Sequence, residues 1–294
     1  MLATFDHSQF DPEALAARKE RSVSVLIPTR ETASTIAATV AAIDELRAVG
    51  LVDQLAVIDA DSGDGTARLA VAAGAEVHSE GTLMPELGPV QGKGDAMWRA
   101  LSVARGDIVV FVDGDVHDFG PHYITGLLGP LFESERTEFV KGFYRRPLAI
   151  GSVEVEDGGG RVTELTAKPM LEILLPELAA FRQPLAGECA ARRELLERIP
   201  FATGYGVEIA MLATVWRRIG LERMAQVGLD SKRNSHQELA QLRVMSHEVI
   251  GALLSWLAAD GRETPFPTAV REFGTRPPMV DASPAGAGIA GRTG

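Results

Sequence analysis

Short apolar runs alternate with helical segments through the first half of this 294-residue chain. Residues 23–27 (VSVLI) and 108–112 (IVVFV) consist almost entirely of apolar side chains, which is typical of strands covered on both faces. In residues 36–46, apolar side chains recur every three or four positions, as they do along one face of a helix. The alternation predicts an α/β fold, Rossmann-like, with a mostly parallel sheet flanked by helices.

The regularity of this pattern changes along the chain. Residues 1–21 are polar and aperiodic and are predicted to form a flexible arm, whereas residues 22–145 carry the regular alternation. Residues 146–260 are less regular and predict a smaller region of the same domain, and residues 261–294 predict a mobile tail. Further strands are predicted at residues 55–58, 75–78 and 226–229, and further helices at residues 66–73, 95–104, 168–182, 191–198, 205–219 and 235–259.

Charge and composition exclude several classes of protein. Forty Asp and Glu against 29 Lys and Arg give a formal net charge of -11, so the overall field repels nucleic acids and anionic membranes. No apolar run approaches the roughly 18 residues that span a bilayer, and the amino-terminal residues lack a signal-peptide pattern. Because Cys189 is the only cysteine, an internal disulfide is excluded. A cytoplasmic protein with no nucleic-acid or membrane partner is expected.

Polar residues directly after the predicted strands are candidate site residues, because ligands of such sheets bind beyond the carboxyl ends of the strands. Asp113-Gly114-Asp115 follows the strand at residues 108–112 and places two carboxylates one residue apart. Mg²⁺ takes one or two protein carboxylates and completes its shell with phosphate oxygens and water. The triplet therefore indicates a metal-bound diphosphate, with two helix-capping turn aspartates as the alternative.

Two further turns have features of phosphate or nucleotide contacts. Gly92-Lys93-Gly94 opens a predicted helix, where free backbone N–H groups and the helix dipole add to the charge of the lysine. A solvated turn lysine is the alternative reading. Residues 59–66 (DADSGDGT) join a strand to a helix, and they either contact a nucleotide or only cap that helix.

A phosphate-bearing ligand of this acidic chain requires local basic residues. Residues 143–147 (FYRRP) and Gly160-Arg161-Val162-Thr163 offer guanidinium, hydroxyl and backbone donors for an anion, although isolated surface arginines are the simpler reading. His236 ends the polar stretch of residues 232–236 (KRNSH). It is a candidate metal ligand or phosphate donor, or the first residue of the next helix.

Taken together, these motifs resemble those of GT-A nucleotide-sugar glycosyltransferases. Pro28-Thr29-Arg30-Glu31 after a strand, the Asp-Ser-Gly turn, Gly-Lys-Gly before a Trp-bearing helix and the Asp-Gly-Asp triplet carry this resemblance. Residues 160–169 (GRVTELTAKP), 184–188 (PLAGE) and 204–209 (GYGVEI) narrow it to the glucosyl-3-phosphoglycerate synthases and the related bacterial mannosyl-3-phosphoglycerate synthases. The resemblance covers roughly residues 20–255.

The resemblance implies a GT-A fold with a nucleotide-sugar-binding half at residues 22–145 and an acceptor-binding half at residues 146–260. It implies retaining transfer of glucose or mannose from UDP-glucose, GDP-glucose or GDP-mannose to the 2-hydroxyl of D-3-phosphoglycerate. The implied cofactor is Mg²⁺, or alternatively Mn²⁺ or Co²⁺. The reaction would be the first step towards a compatible solute or a polysaccharide primer, and a homodimer is expected.

The resemblance also implies residue roles. The nucleotide sugar is expected to bind Pro28, Thr29, Arg30, Glu31, Ser62, Lys93, Asp113 and Gly114. The acceptor is expected to bind Gly160, Arg161, Thr163 and Asn234. Asp115, Glu208 and Lys93 are the expected catalytic residues, and Asp115 and His236 are the expected metal ligands. No protein nucleophile is assigned, because the sequence shows carboxylates but not their separation. A diphosphate oxygen could itself take the proton of the acceptor hydroxyl.

Two positions depart from the family pattern. Arg30 stands where members usually carry Asn, so the contact with the base is expected to differ. Members also carry a His-Arg-Asn stretch whose histidine completes the metal shell. An ungapped match puts Asn234 at the histidine position, so His236 reaches the metal only if the loop shifts.

Three other functions use similar parts. A polyprenyl-phosphate sugar transferase shares the first half, but the chain shows no membrane-spanning segment or basic amphipathic helix. A sugar-phosphate nucleotidyltransferase would carry a Gly-rich, Arg-containing loop after its first strand, and this loop is missing from the sequence. A non-catalytic nucleotide-sugar-binding protein is the third alternative, against which the retention of Asp113, Asp115 and Lys93 argues.

Overall fold

The computed structural model describes residues 1–150, 153–155, 158–233, 238–262 and 274–282. The strands of its main sheet are β1 (Ala3–Asp6), β2 (Val23–Thr29), β3 (Gln54–Asp59), β4 (Glu76–Ser79), β5 (Ile108–Phe111), β6 (Phe139–Arg145), β9 (Cys189–Arg192) and β11 (Met224–Ser231). Within the described residues these eight strands lie in the order β1-β11-β6-β9-β5-β2-β3-β4. Two short pairs lie outside the sheet, β7 (Leu148–Ile150) with β8 (Val153–Val155) and β10 (Phe201–Ala202) with β12 (Thr275–Arg276).

Helices flank this sheet. They are α1 (Pro12–Ala17), α2 (Ile36–Ala48), α3 (Thr66–Ala72), α4 (Lys93–Ala100), α5 (His122–Glu133), α6 (Lys168–Leu174), α7 (Arg193–Glu197), α8 (Val207–Ile219), α9 (Leu239–Ala259) and α10 (Met279–Ala282). A π-helical turn at Thr163–Ala167 leads into α6. Across the described part of the chain, none of the helices combines the length and the apolar character needed to cross a membrane.

The sheet is parallel except for β9, which runs antiparallel to both β5 and β6. The central strands β2, β3 and β5 are mostly apolar because both of their faces are covered. Leu26 packs into one hydrophobic layer, whereas Val25 and Ile27 pack into the other, since neighbouring side chains of a strand point to opposite faces. The carboxyl ends of β2, β3 and β5 therefore meet at one edge, and the predicted α/β fold is confirmed.

The amino-terminal residues do not form the flexible arm that the sequence predicted. Strand β1 pairs in parallel with β11, from Ala3 opposite Ala225 to Asp6 opposite Gly228, and Leu15 of α1 is fully buried. The prediction failed because β1 is an edge strand with largely exposed side chains, which leaves little hydrophobic signal in the sequence.

Part of the predicted mobile tail is also ordered. Strand β12 pairs with β10, and Met279 of α10 is buried in the core. The Trp98 Nε1–H donates to the Pro277 carbonyl at 2.8 Å, and Arg276 donates twice to the Asp95 carboxylate at 2.8 Å. Composition alone does not reveal this packing, because every partner lies far away in sequence. The rest of the predicted tail, apart from residues 261–262, lies outside the described residues.

Candidate functional site

A cleft of about 1080 Å³ opens at the carboxyl ends of β2 and β5. Its walls come from the loops after these strands, the start of α4, residues 159–163, residues 203–208 and one face of α9. Most of the predicted site residues line it together, namely Pro28, Thr29, Arg30, Lys93, Asp113, Gly114, Asp115, Gly160, Arg161, Thr163 and Glu208. The two halves of the chain thus share one cavity.

Asp113, the first residue after β5 and Val112, lies between two lysines. The Lys93 Nζ donates to Asp113 Oδ1 at 2.7 Å, and the Lys232 Nζ donates to Asp113 Oδ2 at 2.6 Å. The lysines come from opposite halves of the chain, Lys93 from the start of α4 and Lys232 from the residues after β11. One carboxylate therefore joins the two halves.

Both lysines have a second carboxylate partner. The Lys93 Nζ lies 2.8 Å from Glu208 Oε1, and the Lys232 Nζ lies 2.6 Å from Glu188 Oε1. Glu188 is completely buried and Lys232 is 2% exposed. We call the series Glu208–Lys93–Asp113–Lys232–Glu188 the buried ionic network.

The three central groups of this network, Lys93, Asp113 and Lys232, are held in their charged forms. Burial alone would raise the pKa of the Asp113 carboxyl, but the two ammonium groups hold that pKa well below its usual range. Burial would lower the pKa of Lys93 and Lys232, yet their carboxylate partners raise both pKa values well above the usual one. These charges are therefore fixed at neutral pH.

Tyr144 completes the network at its buried end. Its hydroxyl donates to Glu188 Oε2 at 2.9 Å, and the Lys232 Nζ lies 5.2 Å from the centre of its ring. Burial, assisted by the charge of Glu188, raises the pKa of the Tyr144 hydroxyl. The hydroxyl therefore stays protonated, as a donor to Glu188 must be.

The turn after Asp113 depends on a glycine. A Cβ atom on Gly114 would lie 2.5 Å from Thr29 Cγ2, so the strand-end loops pack too closely here for any side chain. The Thr35 hydroxyl donates to the Gly114 carbonyl at 2.7 Å and fixes the turn. Asp115 follows as an exposed carboxylate in the cleft, and no described side chain donates a hydrogen bond to it. It is available to a ligand.

Lys93 is positioned by a tightly packed helix start. A Cβ atom on Gly94 would lie 1.9 Å from the Ala202 carbonyl oxygen, so only glycine permits this approach of α4 to β10. The Asp95 carboxylate accepts from the Gln91 backbone N–H at 2.8 Å and from Arg276. The ordered carboxyl-terminal segment thus helps to fix the loop that precedes Lys93.

Two predicted nucleotide contacts lie outside the cleft lining. Ser62 Oγ accepts the Glu31 backbone N–H at 2.8 Å, and the Asp59 carboxylate accepts the Ser62 backbone N–H at 2.9 Å. Glu31 has a φ of +52°, a left-handed conformation that costs a non-glycine residue some strain. In this structure Ser62 and Glu31 shape the loop after β2, and neither lines the cavity.

The predicted acceptor residues face the strand ends across the cleft. Thr163 is buried at the π-helical turn, and Arg161 is half-buried beside it. Gly160 has a φ of +69°, a conformation that favours glycine, and the backbone N–H of Gly159 donates to the Arg146 carbonyl at 2.9 Å. These contacts fix the loop that presents Arg161 to the cavity.

Asn234 and His236 lie outside the described residues. The preceding residue is placed by the Asp115 loop, since the His117 N–H donates to the Arg233 carbonyl and the Arg233 N–H donates to the Asp118 carboxylate, both at 3.1 Å. The expected roles of Asn234 and His236 therefore stay predictions.

Sequence reasoning did not single out three residues that the structure brings together, Tyr144, Glu188 and Lys232. All three belonged to motifs that were noted, but no chemistry was assigned to them. The available signal was that Glu188 and Lys232 are charged residues next to strands; Tyr144, within β6, gave no such signal. Only the fold shows that they meet.

The fold and the site define a nucleotide-sugar glycosyltransferase, and comparison with known proteins agrees. Residues 24–147 match the family model for glycosyl transferase family 2. The glucosyl-3-phosphoglycerate synthase of Mycolicibacterium smegmatis is 44% identical over 282 residues, which cover 92% of each chain. The chain therefore belongs to the glucosyl-3-phosphoglycerate synthase family, as its motifs predicted.

Solved structures give the same assignment. Mannosyl-3-phosphoglycerate synthase from Rubrobacter xylanophilus superposes with a TM-score of 0.86 at 44% identity, over 95% of this chain and 97% of that one. Glucosyl-3-phosphoglycerate synthase from Mycobacterium tuberculosis, in complex with Mn²⁺, UDP and glucosyl-3-phosphoglycerate, superposes with a TM-score of 0.83 at 39% identity. That match covers 96% of this chain and 100% of the other. Another structure of the M. tuberculosis enzyme holds Mg²⁺ and UDP.

Proposed function

We propose that this chain transfers glucose from UDP-glucose to the 2-hydroxyl of D-3-phosphoglycerate with retention of the anomeric configuration. The observation that carries the proposal is the single cleft in which Lys93, Asp113 and Asp115 face Gly160, Arg161 and Thr163. A donor diphosphate and an anionic acceptor fit opposite walls of this cleft. The relatives whose names specify these substrates support the same choice.

The donor side suits a nucleoside diphosphate. Lys93 opens α4, so its ammonium group and the free backbone N–H groups at the helix start favour an anion at the same point. Thr29 and Arg30 extend the wall towards Ala60 and Glu80, which leaves room for a ribose and a base. We assign Asp113 to holding Lys93 and Lys232 in place beside the donor.

The exposed carboxylate of Asp115 fits a divalent cation. Mg²⁺ needs only one or two protein carboxylates when phosphate oxygens complete its shell, and Asp115 is the carboxylate that the lysines leave unpaired. When bound, Mg²⁺, Mn²⁺ or Co²⁺ would offset the charge that develops on the departing diphosphate. Whether His236 adds a second ligand remains a prediction, since it lies outside the described residues.

The acceptor side suits a small phosphorylated acid. Arg161 offers a planar pair of N–H donors to a phosphate or carboxylate, and Thr163 adds a hydroxyl. In the transfer, the acceptor 2-hydroxyl oxygen bonds to the anomeric carbon, the bond from that carbon to the diphosphate breaks, and the proton passes to a diphosphate oxygen. Glu208, fixed by Lys93, is assigned to orient the sugar or acceptor in this step.

Release of nucleoside diphosphate tests the proposal. UDP-glucose, GDP-glucose and GDP-mannose would be incubated in parallel with Mg²⁺, each with and without D-3-phosphoglycerate, and the product would be identified by NMR. We expect UDP release that requires the acceptor and yields an α-linked glucosyl product. Donor binding without acceptor-dependent release would contradict the assignment of D-3-phosphoglycerate as the acceptor. It would favour either another acceptor or a sugar-nucleotide-binding protein without turnover.

A mannosyl donor is the second candidate, because the R. xylanophilus relative is named for that sugar and superposes at least as well as the glucosyl enzymes. The competition between donors in the same assay decides between them. Faster release from GDP-mannose than from UDP-glucose would reassign the sugar and leave the acceptor unchanged. A polyprenyl-phosphate acceptor would be indicated if only lipid phosphate stimulated release.

We also propose a cytoplasmic homodimer. Leu165 and Ile173 are each 78% exposed and Leu239 is 77% exposed. These exposed apolar side chains favour contact with a second copy of the chain. Size-exclusion chromatography with light scattering is expected to give twice the mass of the chain. A monomer at micromolar concentration would contradict the dimer without affecting the assignment of the reaction.

A further inference from the structure

Residues 274–277, which we call the carboxyl-terminal clasp, pack against α4. The Nε and Nη2 groups of Arg276 donate to the two carboxylate oxygens of Asp95, each at 2.8 Å. The Arg276 guanidinium carbon lies 5.6 Å from the centre of the Trp98 ring, and the Trp98 Nε1–H donates to the Pro277 carbonyl at 2.8 Å. The clasp is thus attached to one helix through a two-point ion pair and an indole.

Asp95 connects the clasp to the residues that precede Lys93. Its carboxylate is completely buried and accepts the Gln91 backbone N–H at 2.8 Å. Arg99 reaches the same carboxylate only at 3.2 and 3.5 Å, since its guanidinium also donates to backbone carbonyls of the loop before α4. Arg276 therefore supplies the shorter ionic contact, and it holds Asp95 against the Gln91 backbone.

The clasp also holds a second wall of the cleft, residues 203–208. The backbone N–H and the hydroxyl of Thr203 both donate to the Gly274 carbonyl at 2.9 Å. The Gly204 N–H in turn donates to the Gln91 carbonyl at 3.1 Å. All four of these residues line the cleft. The clasp and the two walls therefore form one hydrogen-bonded unit.

Lys93 and Glu208 extend from the two walls that this unit joins. Lys93 is the first residue of α4 and follows Gln91 by two positions, whereas Glu208 is the second residue of α8. Their ion pair, with a distance of 2.8 Å, therefore depends on the relative placement of α4 and residues 203–208. Arg276 is not among the residues that line the cleft, so it acts on the site through these contacts and not by touching a ligand.

We propose that Arg276 is a positioning residue for the donor site. By holding Asp95 and the Gln91 backbone, it fixes the helix start from which Lys93 meets the diphosphate. Through the rest of the clasp it keeps Glu208 within reach of that lysine. The inference rests on the proposed function in one respect, which is that Lys93 faces a nucleoside diphosphate.

The affinity for UDP, measured without turnover, tests this role. UDP is titrated calorimetrically in Mg²⁺ into the natural full chain and into Arg276→Ala, whose fold is checked by circular dichroism. We expect the dissociation constant to rise at least about tenfold, comparable to the loss of one charge-assisted hydrogen bond from Lys93. An unchanged dissociation constant in the folded variant would overturn the proposal.

Arg262→Ala is the matched control. Arg262 also donates to an aspartate, Asp260, at 3.1 Å, and its guanidinium carbon lies 5.3 Å from the centre of the Trp216 ring, but none of these three residues lines the cleft. We expect this variant to bind UDP like the natural chain. A loss equal to that of Arg276→Ala would assign both effects to general stability and contradict the proposal.

Free guanidinium ion separates positioning from general stability. Removal of the Arg276 side chain leaves a gap beside Asp95 and Trp98 that the ion can fill, so millimolar guanidinium should restore UDP binding by Arg276→Ala. Because guanidinium weakens folded proteins in general, a loss of affinity caused by reduced stability would not be restored. An affinity that the ion leaves unchanged would overturn the positioning role.

Arg276→Lys keeps the proposal testable if Arg276→Ala does not fold. Lysine retains the charge but cannot make the two-point contact with Asp95. We expect UDP affinity to fall, and the KM for UDP-glucose to rise more than the KM for D-3-phosphoglycerate, because the clasp positions the donor lysine. Natural UDP affinity, or equal increases in the two KM values, would contradict the proposal.

The inference and the proposed function fail separately. UDP binding that depends on Arg276, without glucosyl transfer to D-3-phosphoglycerate, would overturn the function and leave the role of Arg276 intact. Glucosyl transfer by a chain whose UDP affinity does not depend on Arg276 would do the reverse.

Discussion

The two halves of the cleft are built in different ways. On the donor side, most of the site residues lie at or just beyond the carboxyl ends of β2 and β5, which pair in parallel and are buried on both faces. On the acceptor side, the residues lie on a short loop, a π-helical turn and the start of α8. The donor wall follows from the general architecture of a parallel sheet, whereas the acceptor wall depends on local turns held by particular contacts.

The buried ionic network crosses this division. Lys93 and Asp113 come from the regular half, and Glu188, Glu208 and Lys232 come from the irregular one. The irregular half has two tasks under the proposed function, since it is proposed to bind the acceptor and it also holds the charges of the donor side. Variants can test whether these tasks are separable.

Asp115→Ala is expected to have the largest effect. Removal of the exposed carboxylate after β5 should lower kcat by about 10³-fold or more, because the charge on the departing diphosphate would lose its metal partner. Asp44→Ala is a matched control, as Asp44 pairs with Arg47 on α2 and does not line the cleft. Activity close to that of the natural chain would remove Asp115 from the metal site.

Glu188→Ala tests whether the halves depend on each other. The variant leaves Lys232 and the Tyr144 hydroxyl without their buried partner, so we expect about 3 kcal/mol less stability in chemical denaturation. Glu188→Gln/Lys232→Met, which removes both charges, should recover most of that loss. If Glu188→Ala were as stable as the natural chain, the network would not tie the halves together.

Arg161→Ala should separate the two walls. We expect the KM for D-3-phosphoglycerate to rise about 10- to 100-fold while the KM for UDP-glucose changes little, since one charge-assisted contact with the acceptor is lost. Arg217→Ala is the control, because Arg217 is exposed, lies in the same half and pairs with Asp260 outside the cleft. Equal increases in the KM values for UDP-glucose and D-3-phosphoglycerate would contradict the assignment of Arg161 to acceptor binding.

The smallest expected effect is on the pH dependence of stability, through Glu76 on the edge strand β4. Hydrogen bonds from Arg105, together with those from His78 and Gln54, lower the pKa of Glu76 on β4 to about 2. A lowered carboxyl pKa contributes stability that is present above the unfolded value near 4.5 and is lost as the pH falls towards 2.

The comparison to make is therefore the free energy of unfolding at pH 6 and at pH 3.5. The natural chain should lose more stability over this interval than Glu76→Gln. Parallel losses in the two proteins would show that the ion pair at this exposed edge contributes nothing measurable.

The predictability of the fold follows the same division. The strand predicted at residues 23–27 is β2, and the helix predicted from residue 36 is α2, because both are long enough to show their periodicity. Residues 191–192 were predicted as helix, but they belong to β9, a short strand of small side chains that forms only through its pairing with β5 and β6. No local sequence signal specifies that pairing.

Residues of the candidate site could be predicted from the sequence where they lie next to a strand end or helix start that the sequence itself predicts. Lys93, Asp113 and Asp115 were identified from their position after a strand or before a helix. The role of Ser62 stays a prediction, because a hydroxyl in a turn can contact a ligand or hold a neighbouring loop with the same sequence pattern, and here it accepts the Glu31 backbone N–H. Lys232 and Glu188 required the fold itself, since burial and ion pairing depend on residues that are distant in sequence.

The pairing of β1 with β11 has a consequence for the order in which the chain is made. The Gln226 side-chain Nε2–H donates a hydrogen bond to the Thr4 hydroxyl oxygen, across a separation of 222 residues. At about 5–20 residues per second, a ribosome needs roughly 10 to 45 seconds to travel that distance. During this time the first strand has been synthesised but its partner does not yet exist, so the edge of the sheet can close only late in translation.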